Sequence, residues 1–191
     1  MNTMVKHTVK LTPKFLEVNG KRVAEAVAGD SFLTMLYRKF NMDYPKFFKM
    51  DVLCKVGFIA SEILLNEEGG ERFVPRADRA VILFNRNSSL NADRTFQRTI
   101  ANTEEFYPSP SVFVYTLPNI VAGEIAIRNK YAGETSAYVL KKYDEEQLWA
   151  LVREAFQDRC TQSAVVAWID CPSDTVWQVD AWLVSREKIL K

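Results

Sequence analysis

The chain has 191 residues and a mass of 21.9 kDa, which is the size of a single domain. Its 25 basic and 24 acidic residues leave a net charge of +1, which excludes the clustered basic excess of a nucleic-acid-binding protein or a polybasic membrane surface. The apolar fraction is 48%, and no apolar run reaches the roughly 20 residues that span a bilayer. We therefore expect one domain over residues 1–191, with no nucleic-acid and no membrane partner.

The N-terminal segment MNTMVKHTVKLTPKF lacks the long apolar core and small-residue cleavage site of a signal peptide, so a cytoplasmic location is expected. The cysteines agree with this, because three cysteines at wide spacings, without a CxxC pair, are typical of free thiols. Histidine, cysteine and carboxylate side chains are scattered along the chain rather than clustered. The sequence therefore predicts no metal site and no cofactor.

The first part of the chain is predicted to form a hairpin followed by a helix. Asn19-Gly20 lies between the β-prone runs FLEV and KRV, which is the usual signal for a two-residue hairpin turn. Asp30-Ser31 is a candidate cap for a helix whose apolar side chains within 32–40 share one face.

The next part is predicted to contain a buried helix and a buried strand. Asp51 is a candidate cap for a helix over 52–65, whose apolar face is so wide that we expect burial on most sides. The acidic, glycine-containing stretch 66–71 is predicted to end this helix. The unbroken apolar run over 80–84 indicates a strand covered on both faces, and 85–91 is predicted to be a polar loop.

Two more helices and three more strands are predicted in the last part of the chain. One helix is expected from Pro118-Asn119 to Lys130, with Gly133 ending it. The other is expected over 145–157, with Asp144 and Gln147 as a capping box. The predicted strands cover 135–140, 163–169 and 176–185. The last two strands are joined by too few residues for a helical crossover, so we expect them to be antiparallel within an α/β fold with a mixed sheet.

Two segments of the chain carry motifs of a known enzyme family. Lys49-Met50-Asp51, followed by VLCKVGFIASEILL, resembles the Lys-Met-Asp that leads into a buried helix near the start of the β-ketoacyl-acyl-carrier-protein synthases. A stronger match is SPSVFVYTLPNIVAGEIAIRNKYAGE, because the family has a Ser-Pro, an aromatic pair, Asn-x-x-x-Gly, Ile-Arg and a glycine before its catalytic strand. The matching positions are Ser109, Pro110, Phe113, Asn119, Gly123, Ile127, Arg128 and Gly133.

The resemblance continues toward the C-terminus. AFQDRCTQSAVVAWIDC is similar to the family's helix and strand that end in an Ala-Gly-Gly turn, and VWQVDAWLVSRE resembles the antiparallel strand that closes the first half of the thiolase fold. The matched region is 47–187, and 1–46 is only weakly matched. The resemblance implies an α/β fold made of a single thiolase-like half, with a mixed five-stranded sheet and helices on both faces. An intact synthase has two such halves, and we expect only the first one here.

The resemblance also implies where the family's chemistry would lie. The synthases hold a nucleophilic cysteine at the turn after the strand that follows Gly133, where a helix N-terminus lowers the thiol pKa and backbone N–H groups hold the oxyanion. The corresponding residues here are Lys141-Lys142-Tyr143, with Lys142 nearest the lost nucleophile. Both partner histidines of the family belong to its second half, and this chain has one histidine in all. No catalytic residue is therefore predicted.

The resemblance and the missing cysteine together imply that the protein is a non-catalytic partner, accessory or pocket-shaping, in fatty-acid, polyketide or aryl polyene-type biosynthesis. The synthases dimerise edge to edge through the strand after the matched glycine, so we expect a homodimer or a heterodimer with a full-length synthase. An acyl carrier protein is a further candidate partner. The alternative to a dimer strand is that the same strand lies inside the sheet and pairs with no other chain. The candidate dimer strand consists of Thr135, Ser136, Ala137, Tyr138, Val139 and Leu140.

Two other hypotheses remain open. The first is an acyl-chain or acyl-carrier-protein binding module without an obligate synthase partner, in which the segment 106–121 lines an acyl tunnel. Its candidate pocket residues are Phe113, Tyr115 and Asn119, and the alternative is that the aromatic side chains belong to the core. The second is a residual acyltransferase that uses a displaced cysteine, Cys54 or Cys160.

Overall fold

Strands and helices alternate along most of the chain, as the α/β prediction requires. The structure, a computed structural model, describes residues 3–29, 31–102, 104 and 106–186. Its strands are β1 (Thr3–Leu11), β2 (Phe15–Val18), β3 (Lys21–Glu25), β4 (Arg79–Asn85), β5 (Thr135–Val139), β6 (Ser163–Asp170) and β7 (Gln178–Arg186). Its helices are α1 (Phe32–Lys39), α2 (Val52–Glu68), α3 (Leu90–Ile100), α4 (Pro110–Phe113), α5 (Ile120–Asn129) and α6 (Glu145–Ala155), with 3₁₀ turns at Pro45–Lys49 and Val114–Thr116.

The described strands form one mixed sheet in the order β3-β2-β1-β7-β6-β4-β5. Strand β4 is parallel to both β5 and β6, whereas β7 is antiparallel to β6 on one side and to β1 on the other. The antiparallel pairing predicted for the last two strands is therefore confirmed. The mixed α/β architecture implied by the resemblance is confirmed as well.

The sheet has seven strands instead of the five that the resemblance implied. The two additional strands are β2 and β3, which extend the sheet beyond β1. They form the predicted hairpin, in which Asn19 and Gly20 both have positive φ angles of 50° and 75°. Such angles at both central residues match a turn whose twist suits the flanking strands. The hairpin prediction is thus correct, and the predicted strand count is wrong.

One face of the sheet carries most of the helices and the larger hydrophobic core. Helix α1 begins at Ser31, whose hydroxyl accepts a hydrogen bond from the Thr34 amide, while Asp30 lies outside the described residues. Helix α2 begins at Asp51, as predicted, and continues to Glu68, three residues beyond the predicted end. Twelve of the 17 residues of α2 are buried, so this helix supplies the centre of the core.

Helix α6 packs on the opposite face. Its cap is the predicted Asp144, whose carboxylate accepts a hydrogen bond from the Gln147 amide, but the Gln147 side chain does not complete the predicted capping box by bonding the Asp144 amide. The side chains of Leu148 and Val152 are fully buried against alternate residues of β4 and β6. Helices therefore cover both faces, and β4 is buried along its whole length.

Two local predictions need correction. Helix α5 ends at Asn129, with Lys130 in the left-handed region as its C-cap, so Gly133 does not end the helix. Instead, Gly133 lies against the backbone of Arg79, where a Cβ atom would overlap the Arg79 carbonyl oxygen. The predicted loop 85–91 overlaps the start of α3, a mostly polar helix in which Ala92 is buried.

Candidate functional site

Strand β5 lies at one edge of the sheet, where β4 is its neighbour among the described residues. The Glu134 carbonyl accepts a hydrogen bond from the Val81 amide of β4, and the Leu140 amide donates one to the Asn85 carbonyl. The backbone groups of the even-numbered residues within 134–140 therefore point toward β4. Alternation along a strand then directs the N–H and C=O groups of Thr135, Ala137 and Val139 toward the open edge. The predicted strand 135–140 is thus a real strand, with an edge available for a further pairing.

The two edges of the sheet differ in character. Strand β3 forms the opposite edge and carries Lys21, Arg22 and Glu25, and such charges protect an edge from pairing with other chains. Strand β5 has the sequence TSAYV, without a charge or a proline, and none of its side chains is fully buried. The β5 edge therefore lacks the protection that β3 has.

Several exposed apolar side chains lie on β5, on the neighbouring helix α5 and in the segment before α5. Helix α5 packs beside β4 and β5, and its Ile127 is 68% exposed. On β5 itself, Val139 is 51% exposed. More exposed apolar side chains lie in the segment before α5, namely Phe106, Tyr107, Phe113, Val114 and Leu117. Exposed apolar area of this kind on a folded domain is typical of an interaction surface.

The turn after β5 is where the resemblance places the family's nucleophile. Lys141, Lys142 and Tyr143 are exposed there, directly before the Asp144 cap of α6. This is a strand-to-helix turn, the geometry in which a helix N-terminus can activate a thiol. Lys142 has no nucleophilic sulfur, and the three cysteines of the chain lie elsewhere in the fold.

The environments of Cys54 and Cys171 do not activate their thiols. Cys54 is buried in α2, and burial together with the nearby Asp51 carboxylate raises the pKa of its thiol well above the ordinary value. Burial likewise raises the pKa of Cys171 to about 12. Both groups are therefore neutral thiols near pH 7, and nucleophilic chemistry requires the thiolate. Cys160 is exposed in the loop between α6 and β6, where its backbone amide donates to Asp158.

The three candidate acyl-pocket residues occupy different environments. Phe113 is 53% exposed and packs against Phe96, with the ring centroids 5.2 Å apart. Asn119 is exposed at the start of α5 and makes no side-chain capping hydrogen bond. Tyr115 is buried and lines a cavity between α2, α3 and the residues of α4. The structure thus places Tyr115 inside the protein and the other two on its surface.

A buried ionic cluster, which the sequence interpretation missed, joins α2 to α5. The Glu62 carboxylate is 2.7 Å from an Arg72 guanidinium nitrogen and 3.5 Å from one of Arg128. Arg72 also donates to the amide oxygen of the fully buried Asn129. The only sequence signal is a carboxylate within an otherwise apolar helix, at a position where burial demands a partner.

A second buried carboxylate connects α5 to the segment before α2. Glu124 forms an ion pair with Lys46 and accepts a hydrogen bond of 3.1 Å from the Tyr44 hydroxyl. Burial and the Glu124 charge raise the pKa of Tyr44 to about 12, so the phenol remains a donor at neutral pH. These contacts fix the orientation of α5, and therefore the face that α5 presents beside β5.

Among residues 3–29, 31–102, 104 and 106–186, no group of three or more histidine, cysteine, aspartate or glutamate side chains is arranged to hold a metal ion. In the same described ranges, no single helix is long and apolar enough to cross a membrane, and the segments Pro110–Thr116 and Ile120–Asn129 reach that length only together, across a bend of 100°.

Comparison with known proteins gives matches at the level of structure. No protein-family model matches the chain, and no curated protein sequence matches it. The alignment with the ishigamide ketosynthase/chain length factor covers all of this chain and 64% of the matched chain, at 15% identity and a TM-score of 0.75. The complex of the ketosynthase ApeO with its chain length factor ApeC, from Xenorhabdus doucetiae, also aligns with all of this chain, at 12% identity and a TM-score of 0.62.

The aligned part covers 82% of the matched chain in that second complex. A third match is the type II polyketide synthase acyl-carrier protein AntF in complex with its ketosynthase AntDE. The alignment covers 97% of this chain and 62% of the matched chain, at 9% identity and a TM-score of 0.62. The chain therefore spans less than two thirds of the matched chain in two of these three structures. Identities this low establish the fold alone. The chain has the thiolase-like fold of the ketosynthase and chain length factor structures that it matches.

Proposed function

We propose that this protein is a non-catalytic, ketosynthase-like subunit that pairs with a full-length ketosynthase through the free edge of β5. The observation that carries the proposal is the contrast between the two sheet edges. The β3 edge carries three charged side chains, whereas the β5 edge has an uncharged, proline-free strand. An edge without such protection is stable in solution when another strand covers it.

Exposed apolar side chains near β5 support a protein partner. Val139 lies on β5 and Ile127 on α5, which packs beside β5, and both are more than half exposed. Aromatic and aliphatic side chains of this kind form the centre of stable protein interfaces. The structures that share this fold include ketosynthases in complex with chain length factors.

The absence of a cysteine at the β5–α6 turn supports an accessory role. Lys142 stands in that turn, and the buried thiols of Cys54 and Cys171 are held neutral by their raised pKa values. We propose that the protein shapes the pocket of its partner in polyketide, aryl polyene or fatty-acid biosynthesis. A second copy of this chain is the alternative occupant of the edge.

Val139→Lys is expected to weaken pairing strongly while the fold is retained. The substitution places a charge on the exposed side of the edge strand, where a partner strand would have to desolvate it. The measurement is the mass of the purified protein, alone and mixed with a full-length ketosynthase from the same genome, by size-exclusion chromatography with light scattering. We expect the wild type to form a one-to-one complex and the variant to bind at least about tenfold more weakly.

The matched control is Val23→Lys, which places the same charge on the opposite edge strand β3, where Val23 is 37% exposed. This variant should bind the ketosynthase as the wild type does. A wild-type homodimer that Val139→Lys dissociates would assign the edge to a second copy. A wild type that stays monomeric with and without the ketosynthase, or a Val139→Lys variant that pairs normally, would contradict the proposal.

A second candidate function is the binding of an acyl chain or an acyl carrier protein without an obligate synthase. The observation in its favour is the run of exposed apolar side chains within 106–117, which includes Phe113 beside the buried Tyr115. A long apolar ligand could cover this surface and bury its area from water. The candidate pocket residues Phe113, Tyr115 and Asn119 all lie in or directly after this segment.

This candidate predicts that acyl pantetheines, which carry no charge on the acyl group, raise the unfolding temperature of the protein. The rise should grow with the length of the acyl chain. Phe113→Ser should reduce the shift, since it removes an exposed ring from the proposed contact surface. Phe48→Ser is the control, because Phe48 has a similar exposure of 54% in the turn before α2. Equal unfolding temperatures for all chain lengths would exclude acyl binding.

A further inference from the structure

The guanidinium group of Arg128, in the last turn of α5, lies against two aromatic rings. Its Cζ atom is 4.2 Å from the centroid of the Phe73 ring and 5.2 Å from that of the Tyr44 ring. A cation is attracted to an aromatic face, so these two contacts restrict the position of the guanidinium group. The Arg128 side chain is 16% exposed, which means that most of it is withdrawn from water.

The hydrogen-bonding capacity of this arginine is unused. A guanidinium group has five N–H donors. Within residues 3–29, 31–102, 104 and 106–186, Arg128 makes no hydrogen bond, and its one ion pair is the 3.5 Å contact with Glu62. Its Nε is buried without an acceptor, whereas its terminal nitrogens lack one but are not buried. A molecule from outside the chain can therefore reach the terminal nitrogens.

Other arginines of the fold are fully engaged by carboxylates. Arg79 donates to both carboxylate oxygens of Glu68, at 2.6 Å each. Arg72 donates to the Glu62 carboxylate at 2.7 Å. Because Arg72 holds Glu62 at this short distance, only the long contact remains for Arg128.

The charges of this cluster leave one positive charge in excess. Its cations are Arg72, Arg128 and Lys46, and its carboxylates are Glu62 and Glu124. Lys46 pairs with Glu124 and Arg72 pairs with Glu62, so the excess charge lies on Arg128. A largely buried charge is stabilised by a counterion, and a single excess charge matches a monoanion.

An exposed aromatic side chain lies beside these unused donors. Phe73 is 37% exposed, as is the next residue, Val74. The Phe73 backbone has a φ angle of 64°, in the left-handed region that a bulky residue rarely adopts. The chain thus holds the Phe73 ring against the guanidinium group at a conformational cost. The exposed part of the ring is available to the apolar part of a ligand whose anionic group reaches Arg128.

We propose that Arg128 and Phe73 bind a carboxylate that is attached to an apolar group. The guanidinium group receives the two carboxylate oxygens through parallel N–H donors, and the ring contacts the apolar group. The carboxylate belongs either to a free small acid or to an acidic side chain of a protein segment. The site lies on α5 and the segment before β4 and requires no ketosynthase, so it is tested separately from pairing through β5.

The test measures the unfolding temperature of the full chain in increasing phenylacetate, with sodium chloride keeping the ionic strength constant. A saturable rise is expected, and phenylacetamide, the uncharged analogue, should give none. The second probe is the capped dipeptide acetyl-Glu-Phe-amide. Tighter binding of the dipeptide assigns the carboxylate to a protein segment, and tighter binding of phenylacetate assigns it to a small acid.

Two variants test the two residues separately. Arg128→Lys keeps the charge but loses the parallel donors, so it should weaken phenylacetate binding at least about tenfold. Phe73→Gly removes the ring and should also weaken binding. Glycine adopts a positive φ without strain, so this variant remains informative even where the Arg128 variant is less stable.

The matched control is Arg22→Lys. Arg22 also lies against a ring, 3.7 Å from the centroid of Phe15. Its donors are already taken, by Glu17 at 2.9 Å and by Glu25 at 3.2 Å, so this variant should bind phenylacetate as the wild type does. The proposal would be overturned by no saturable shift with either carboxylate, by equal shifts with phenylacetate and phenylacetamide, or by normal binding to Arg128→Lys.

Discussion

Glu62→Ala is expected to lower the free energy of unfolding by about 3–5 kcal/mol, because it removes one member of a buried ion cluster and leaves two charges unpaired. Glu62 is 3% exposed, and its carboxylate is the anionic partner of both Arg72 and Arg128. The Nε atoms of both arginines are already buried without a hydrogen-bond partner. Without Glu62, the helices α2 and α5 would be held apart by two uncompensated guanidinium groups.

Urea unfolding followed by circular dichroism measures this change, provided that the wild type unfolds in a single transition. The control is Glu71→Gln, an exposed acid close in sequence, for which a change within about 0.5 kcal/mol is expected. A Glu62→Ala variant as stable as the control would mean that the arginines find other partners, and that this cluster does not hold α5 against α2.

Gly133→Ala is expected to destabilise the fold by about 3 kcal/mol, at the upper end of the range for overpacking. A Cβ atom at this position would overlap the Arg79 carbonyl oxygen and lie 3.0 Å from the carbonyl oxygen of Ala77. Both obstacles are backbone atoms at the start of β4, so the substitution must separate β4 from the residues that lead into β5. The same measurement of urea unfolding tests this expectation.

Gly123→Ala is the matched control and should have the opposite sign. Gly123 lies within α5, and a Cβ atom there meets no other atom within 4 Å. An alanine in a helix interior is favoured over glycine by about 0.5–1 kcal/mol, so this variant should be slightly more stable than the wild type. Gly133→Ala with wild-type stability would show that β4 and β5 can separate locally without loss of pairing.

Local signals in the sequence predicted most of the elements correctly. Asp51 and Asp144 cap the helices that were expected to follow them, and the Asn19-Gly20 turn joins the expected strands. These features depend on a few neighbouring residues, so they can be recognised without the rest of the fold. The fold implied by the resemblance was also correct, because its motifs fall in elements that pack together.

What the sequence did not predict depends on contacts between distant segments. Helix α3 has a polar sequence with a single buried residue, Ala92, so it lacks the broad apolar stripe by which helices are recognised. The partners of Glu62 are Arg72 and Arg128, and only the packing of α5 on α2 brings them together. The cavity beside Tyr115 likewise requires three segments to be placed in space.

The pairing of β1 with β7 has a consequence for how the molecule is made. Thr3 lies opposite Arg186, so strands from the two ends of the described chain are neighbours in the middle of the sheet. The hairpin of β2 and β3 reaches β6 only through β1 and β7. Contacts of such long sequence separation form slowly. During synthesis, the hairpin and the β4–β6 part of the sheet therefore have no continuous backbone pairing until β7 is complete, and β7 then joins them into one sheet.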